Sequence, residues 1–363
     1  VKVRLYFIDI VRAFAILMML QGHFIDTLLE NSYRNLNFEI YQAWSFFRGI
    51  TAPTFFTISG LIFTYLLIKA KEKGEEKARM KKGITRGLSL IAIGYVIRIN
   101  FINWFLGYNN TSFLAVDVLH CIGLSLILTV CIFYLCNKRT LVFSVIMLIL
   151  GGCIFVGEPL YRSLEIADIP LFIHNYISKN NGSVFRIIPW YGYTSFGAFI
   201  ATLFYWNLHK KYFKITTISS FVGIGFLLVL YSSDFLLLGY KTTNIEVFRD
   251  AANYNYLFSK LGYVLLYFAF FYSLEKYLKY PLILRIGKNT LSIYVIHFII
   301  LYGSFFGIGF KNIGKILSPI QVSIGAVLFL ALTIFISFNY PKVTMLLKNK
   351  FQKFYQAIIN SIQ

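Results

Sequence analysis

Apolar runs of roughly membrane-crossing length alternate with short polar connections along almost the whole chain. They fall at 6–29, 43–68, 84–106, 116–136, 141–156, 188–206, 215–233, 257–274, 291–310 and 320–340, the fifth being the shortest. A hydrocarbon core of roughly 30 Å takes about 20 residues of helix to cross. Backbone groups have no water to bind there, so each span must satisfy its own hydrogen bonds, as a helix does. The pattern predicts an all-α polytopic integral membrane protein of about ten transmembrane helices. The opening run lacks a small-residue cleavage site and carries charges, so it reads as a retained first helix and not as a signal peptide.

The connections set the orientation. With the N-terminus inside, and charges in the outermost three residues of a span counted with the adjoining segment, the cytoplasmic segments hold 23 basic residues and the outer ones eight, while acids number four inside and nine outside. Basic residues are enriched in cytoplasmic loops, so both termini are expected in the cytoplasm. An odd number of spans would break the alternation. The chain divides into a membrane domain, 1–341, and a basic amphipathic cytoplasmic tail, 342–363, with Lys and Gln opposite Leu, Phe, Tyr and Ile. The outer connections 158–187 and 234–256 read as loops that either cover an extracytoplasmic substrate or simply connect.

Composition fits this reading: the chain is 58% hydrophobic and only 14% charged, where soluble domains carry about 25% charged residues. The net charge of +20 follows largely from the inside-positive bias. Membrane lipids are therefore the expected partner, and nucleic acid is not. The four cysteines fall in apolar runs with no metal-ligand spacing, so they read as small buried apolar residues and no metal is expected.

Candidate chemistry concentrates on the first helix, which holds Asp9, Arg12, His23, Asp26 and Glu30. At about 100° per residue, Arg12 and His23 lie about 20° apart, as do His23 and Glu30. By the same count Asp9 is about 40° and Asp26 about 60° from His23. Ionisable side chains inside a span are costly and mark function by default, so this stripe must line a polar cavity or pack on polar groups. A buried imidazole near a carboxylate makes a general base near neutral pH. The alternative is a structural network in which Asp9 pairs with Arg12 and His23 only bonds a neighbour.

Other spans offer partners. Asp117 and His120 open the fourth span, Trp190 and Tyr191 the sixth, and Arg48 the second, while Arg98 lies in the outer part of the third. His120 reads as either a site member or a structural residue. His297, in the ninth, reads as a satisfied core histidine, and Trp190 and Tyr191 read as site members or interfacial aromatics. His174 and His209 fall in connections. At the start of the third span, Arg79, Lys81, Lys82 and Arg86 cluster where a helix N-terminus suits phosphate; lipid headgroup contact explains them equally well.

The spacing Arg12, ten residues, His23 resembles the R-x10-H signature on the first helix of bacterial acyltransferase-3 polysaccharide O-acyltransferases. More of the chain resembles the catalytic domain of heparan-alpha-glucosaminide N-acetyltransferase and its bacterial relatives. The resembling segments are IDIVRAFAILMMLQGHFIDTL, TAPTFFTISGLIFTYL, TRGLSLIAIGYVI, DVLHCIGLSLIL, IPWYGYTSFGAFIATLF and LRIGKNTLSIYVIHFIIL, in the family's order. The resemblance implies a membrane acyltransferase with acyl-CoA, such as acetyl-CoA, as cytoplasmic co-substrate. A hydroxyl or amine of a glycan or sugar on the other face would be the acceptor. It implies His23 as general base with Arg12 as its partner, and it matches Asp9 and Arg86 to an acidic and a basic family position. The heparan enzyme carries asparagine at the position of His23, so this detail follows the O-acyltransferases, whose RxxR element is absent here. The bacterial relatives imply an inner (plasma) membrane location. The pattern is compatible with a monomer or a homodimer.

These readings combine into direct acyl transfer, with His23 oriented by Asp26 or Glu30 and an oxyanion donor among Arg12, Arg48 and Trp190. His120 would relay a proton or position the acceptor. Arg79, Lys82 and Arg86 would take the CoA phosphates. The rival reading is a transporter or flippase for a lipid-linked glycan or anion, which would also bury charges; paired broken helices in two matching halves are not evident in the sequence.

Overall fold

The apolar runs fold as helices packed into a bundle in the computed structural model. It describes residues 5–108, 111–162, 169–179 and 181–362; the side chains of 112 and of 341–362 lie outside the description. The principal helices are α1 Tyr6–Leu28, α2 Glu39–Glu72, α3 Glu76–Val96, α4 Val118–Leu135, α5 Thr140–Val156 and α6 Ile187–Asn207. They continue with α7 Phe213–Thr243, α8 Leu257–Ser273, α9 Pro281–Lys288, α10 Thr290–Tyr302 and α11 Pro319–Ile362. Among the described residues there is no strand. Five helices are long and apolar enough to cross a membrane: α1, α2, α4, α7 and the 319–340 part of α11. The bent pair α9 and α10, 71° apart, qualifies when taken as one span, and α5 and α8 are shorter apolar helices.

Several boundaries depart from the sequence reading. The third helix stops at Val96 instead of near 106, and the ninth at Tyr302 instead of 310. The two truncated ends meet: Phe305 N–H donates to Ile99 O (2.8 Å) and Phe101 N–H to Phe305 O (2.9 Å). Gly303, at φ 71°, turns the chain there, where a side chain would strike the backbone of Ile308. The expected loop at 234–256 is mostly helical, because α7 runs on to Thr243 and Glu246–Asn253 adds two turns. Part of the 158–187 connection, residues 163–168, lies outside the described residues. The tail from 342 continues the α11 helix backbone without a break, and its expected amphipathic side chains lie outside the description. Cys121 and Cys136 are buried, but Cys131 and Cys153 face outward, against the expectation that all four are buried.

Small residues set the helix crossings. A Cβ at Gly60 would overlap the Thr194 carbonyl, and one at Gly197 the Thr57 carbonyl, so α2 and α6 meet backbone to backbone. Gly87 and Gly123 bring α3 and α4 together; a Cβ on either would sit 2.6 or 2.5 Å from the other's carbonyl oxygen. In lipid the helices gain little from hydrophobic exclusion, so close van der Waals approach at small residues is what holds them. Gly287 does the same for the site: a Cβ there would overlap the backbone of Asp9, which seats α9 on the first turns of α1.

Candidate functional site

The polar stripe of α1 has a lower and an upper part, and α10 lies beside both. Near the base, Arg12 donates to Thr290 Oγ1 (2.7 Å) at the start of α10. Further along, His23 meets Tyr302 and His297. The order of these contacts makes the two helices run in the same direction.

Arg12 and Arg86 line a cavity of ≈ 80 Å³ with Ser59, Thr290 and Tyr294, walled by apolar groups such as Met19 and Phe55. Such a space holds a few waters or the end of a narrow chain. Arg79, Lys82 and Arg86 share one face of α3, since residues three and seven apart align on a helix. Arg79 rests over the Phe63 ring at 5.6 Å. Among the described residues Arg79, Lys82 and Arg86 form no ion pair. The cationic cluster therefore leads to the cavity mouth with charge available for an anion.

In the upper part, His23 Nδ1 lies 2.9 Å from the Tyr302 hydroxyl, and its ring is 5.4 Å from that of His297. His23 is half-buried, whereas His297 is fully enclosed. The His297 Nδ1–H donates to the Tyr294 carbonyl, which fixes the tautomer and leaves Nε2 a buried acceptor without a partner. The Tyr294 hydroxyl donates to Asp117 Oδ2 (2.8 Å), and Arg98 lies 3.6 Å from the same oxygen. Tyr294 thus lines the lower cavity and also connects to the carboxylate behind the histidines. Asp117 is set by local structure: it caps α4, accepting from Val118 N–H (2.6 Å).

The remaining stripe residues are engaged elsewhere. Asp26 is held by Arg48 (2.8 Å) and Arg34 (3.2 Å). Glu30 lies past the end of α1, is exposed and accepts from Ser32 (2.8 Å). The observed partner that orients His23 is therefore Tyr302, not Asp26 or Glu30. Arg48 crosses Gly22 and lies over Trp44 at 5.4 Å, so Asp26 and an aromatic face occupy it. His120 does not reach the His23 group by any hydrogen bond: its Nδ1 accepts from Asp117 N–H (3.0 Å), completing a capping box, and its ring packs on Tyr95. Its Nε2 is buried without a partner. Trp190 is embedded among Phe56, Phe185 and Tyr193 at ring distances of 5.2, 4.8 and 5.8 Å. Asp9 sits one turn below Arg12 in the α1–α9 crossing. Among the described residues no group of three or more potential metal ligands occurs.

Sequence reasoning missed Tyr302, Tyr294 and Thr290 and gave His297 no role beyond the core. A signal existed: Thr290, Tyr294 and His297 stand at i, i+4 and i+7, one face of α10. Tyr302 carries no comparable signal, because its contact with His23 depends on how two helices lie together.

Residues 4–236, more than half of the chain, match the family model described as heparan-alpha-glucosaminide N-acetyltransferase, catalytic. The matched stretch carries Asp9, Arg12, His23, Arg86 and Asp117, while the facing α10 residues lie beyond it. No curated protein sequence matches the chain. The extent of the family match, on a helical membrane scaffold, establishes that this chain belongs to the heparan-alpha-glucosaminide N-acetyltransferase catalytic-domain family.

Proposed function

We propose that the protein moves an acetyl group from cytoplasmic acetyl-CoA to a hydroxyl or amine of a glycan or sugar on the other face of the membrane. The observation that carries this reading is the alignment, on one side of α1, of two groups of different chemistry. A cavity with two arginines stands below, and a half-buried imidazole flanked by Tyr302 and His297 stands further along. Counting α1 to α8, the bent α9–α10 pair and α11 as one crossing each gives ten passes, with both ends in the cytoplasm by the basic bias. The arginine end then faces the cytoplasm.

The donor set suits acetyl-CoA. Arg79 and Lys82, without ion pairs among the described residues, offer cations for phosphate outside the cavity, Arg86 lies at its wall, and the narrow space beside Arg12 admits only an extended arm that carries the thioester on toward His23. In the tautomer whose Nδ1–H donates to the Tyr302 hydroxyl, 2.9 Å away, His23 Nε2 is the proton acceptor. It removes the proton of the acceptor O–H or N–H, and that oxygen or nitrogen attacks the thioester carbonyl. The C–S bond breaks, the acetyl group stays on the acceptor, and the departing sulfur takes the proton from the imidazolium. Of the candidate oxyanion donors, Arg48, which crosses Gly22 beside His23 and shares its guanidinium with Asp26, is the nearest; Arg12 is bonded to Thr290 about 16 Å along α1, and Trp190 packs among aromatic neighbours.

The test is acetyl transfer by the purified full chain, read as CoA thiol released on adding an amino sugar or a hydroxyl acceptor. Arg86→Ala should raise KM for acetyl-CoA by about tenfold with a smaller change in kcat, as loss of one charge-assisted contact does. Movement of a glycan or anion across sealed vesicles without thioester cleavage would instead support the transporter reading.

A further inference from the structure

A cavity of ≈ 750 Å³ away from the histidine site lies between α6 and α7, with walls from α5 and α8. It exists because these chain neighbours are held apart. α7 packs along α8, where Gly225 and Gly262 approach until a Cβ would be 3.0 or 2.7 Å from the opposing carbonyl oxygen. α6 packs along α2 through Gly197. Between them aromatic contacts bridge the gap, with Phe204 5.1 Å from Phe213 and 5.9 Å from Phe221.

The lining changes character along the groove. Asn207, Lys210, Lys211, Thr216 and Ser220 stand at the end nearest the α6–α7 connection. Beyond them the walls are apolar, through Ile224 and Leu228 of α7 to Leu261 of α8. From Thr216 to Leu228 the groove follows α7 for about 18 Å, a little over half the hydrocarbon thickness. Lys214, the second residue of α7, is 3.5 Å from Glu275 and so neutralised. Lys210 and Lys211 are exposed and form no ion pair among the described residues. Leu148, Leu203 and Ile224 are exposed at the rim, so the groove opens sideways to the membrane.

We propose that this groove binds an anionic phospholipid, with its phosphate at Lys210 and Lys211 and an acyl chain along the apolar part of α7. The polar mouth, the apolar depth of about one leaflet and the two unneutralised cations match the order of groups in such a lipid. A zwitterionic lipid fits the depth but leaves the two lysines without a net counter-charge. The site is separate from the histidine group and stands whether or not the chain transfers acetyl groups.

The full-length chain, delipidated in detergent, is titrated with phosphatidylglycerol and with phosphatidylcholine, and bound lipid is counted by native mass spectrometry. Phosphatidylglycerol should bind about tenfold or more tightly, and Lys210→Gln with Lys211→Gln should erase that preference. Ser220→Phe, which fills the groove without touching the lysines, should weaken binding of both lipids. Lys73→Gln with Lys77→Gln, an exposed basic pair elsewhere, should leave the preference intact. An equal loss in that control pair would reduce the effect to general surface charge and overturn the site. So would a preference that survives the Lys210 and Lys211 changes. Displacement of the lipid by palmitoyl-CoA but not by free CoA would assign the groove to a donor chain and would also overturn the proposal.

Discussion

Tyr302 holds the His23 ring by one hydrogen bond of 2.9 Å between its hydroxyl and Nδ1, and the base role uses the tautomer in which Nδ1–H is the donor. Tyr302→Phe should lower kcat by about fivefold with a smaller effect on KM, since one orienting bond contributes about 1 kcal/mol. Steady-state rates at saturating acetyl-CoA read this directly, and an unchanged kcat would remove Tyr302 from the account. Asp117 acts differently, because it caps α4 and receives the Tyr294 hydroxyl. Asp117→Ala should cost about 1–2 kcal/mol of stability through the lost cap, seen as a lower melting temperature. Arg12 and His23 were legible because a helical count places them on one face. The fates of Asp26 and Glu30 were not. Asp26 is taken up by Arg34 and Arg48 from beyond α1, and Glu30 leaves the stripe because α1 ends at Leu28.

At the scale of the helices, glycine decides how close two backbones come. Gly197→Leu would drive a side chain into the Thr57 carbonyl of α2, in a crossing that cannot open without disturbing the core. The expected cost is at least 1–3 kcal/mol, the usual range for overpacking, read as lost monodispersity and a lower melting temperature. Gly223→Ala, where an added Cβ meets nothing within 4 Å, should be neutral or slightly stabilising by the same measurement. Apolar runs made the helices themselves readable. Their ends were harder, because α3 and α10 stop where Ile99, Phe101 and Phe305 pair across two loops, a contact between distant parts of the chain. The 71° bend between α9 and α10 was likewise unreadable from hydropathy, although it is what seats Gly287 on Asp9 and starts α10 at Arg12.

For the whole molecule, the proposal requires that the arginine and histidine ends of the stripe open toward opposite sides of the membrane. With the native cysteines replaced by alanine, Lys73→Cys and Lys311→Cys should be labelled by a membrane-impermeant maleimide from opposite faces. Labelling of both from one face would break the ten-pass arrangement. The inside-positive distribution is the sequence feature that supports this orientation, whereas the lateral groove was hidden, since it arises where α6 and α7, adjacent in the chain, pack on other helices. The claim on which the catalytic account rests is that His23 takes the acceptor's proton. The most direct measurement compares acetyl transfer from acetyl-CoA by the purified protein and by His23→Gln, with equal melting temperatures. A general base contributes about 10²–10⁴-fold, so the account predicts a fall of that size in kcat, while a rate within about twofold of the parent protein would contradict it.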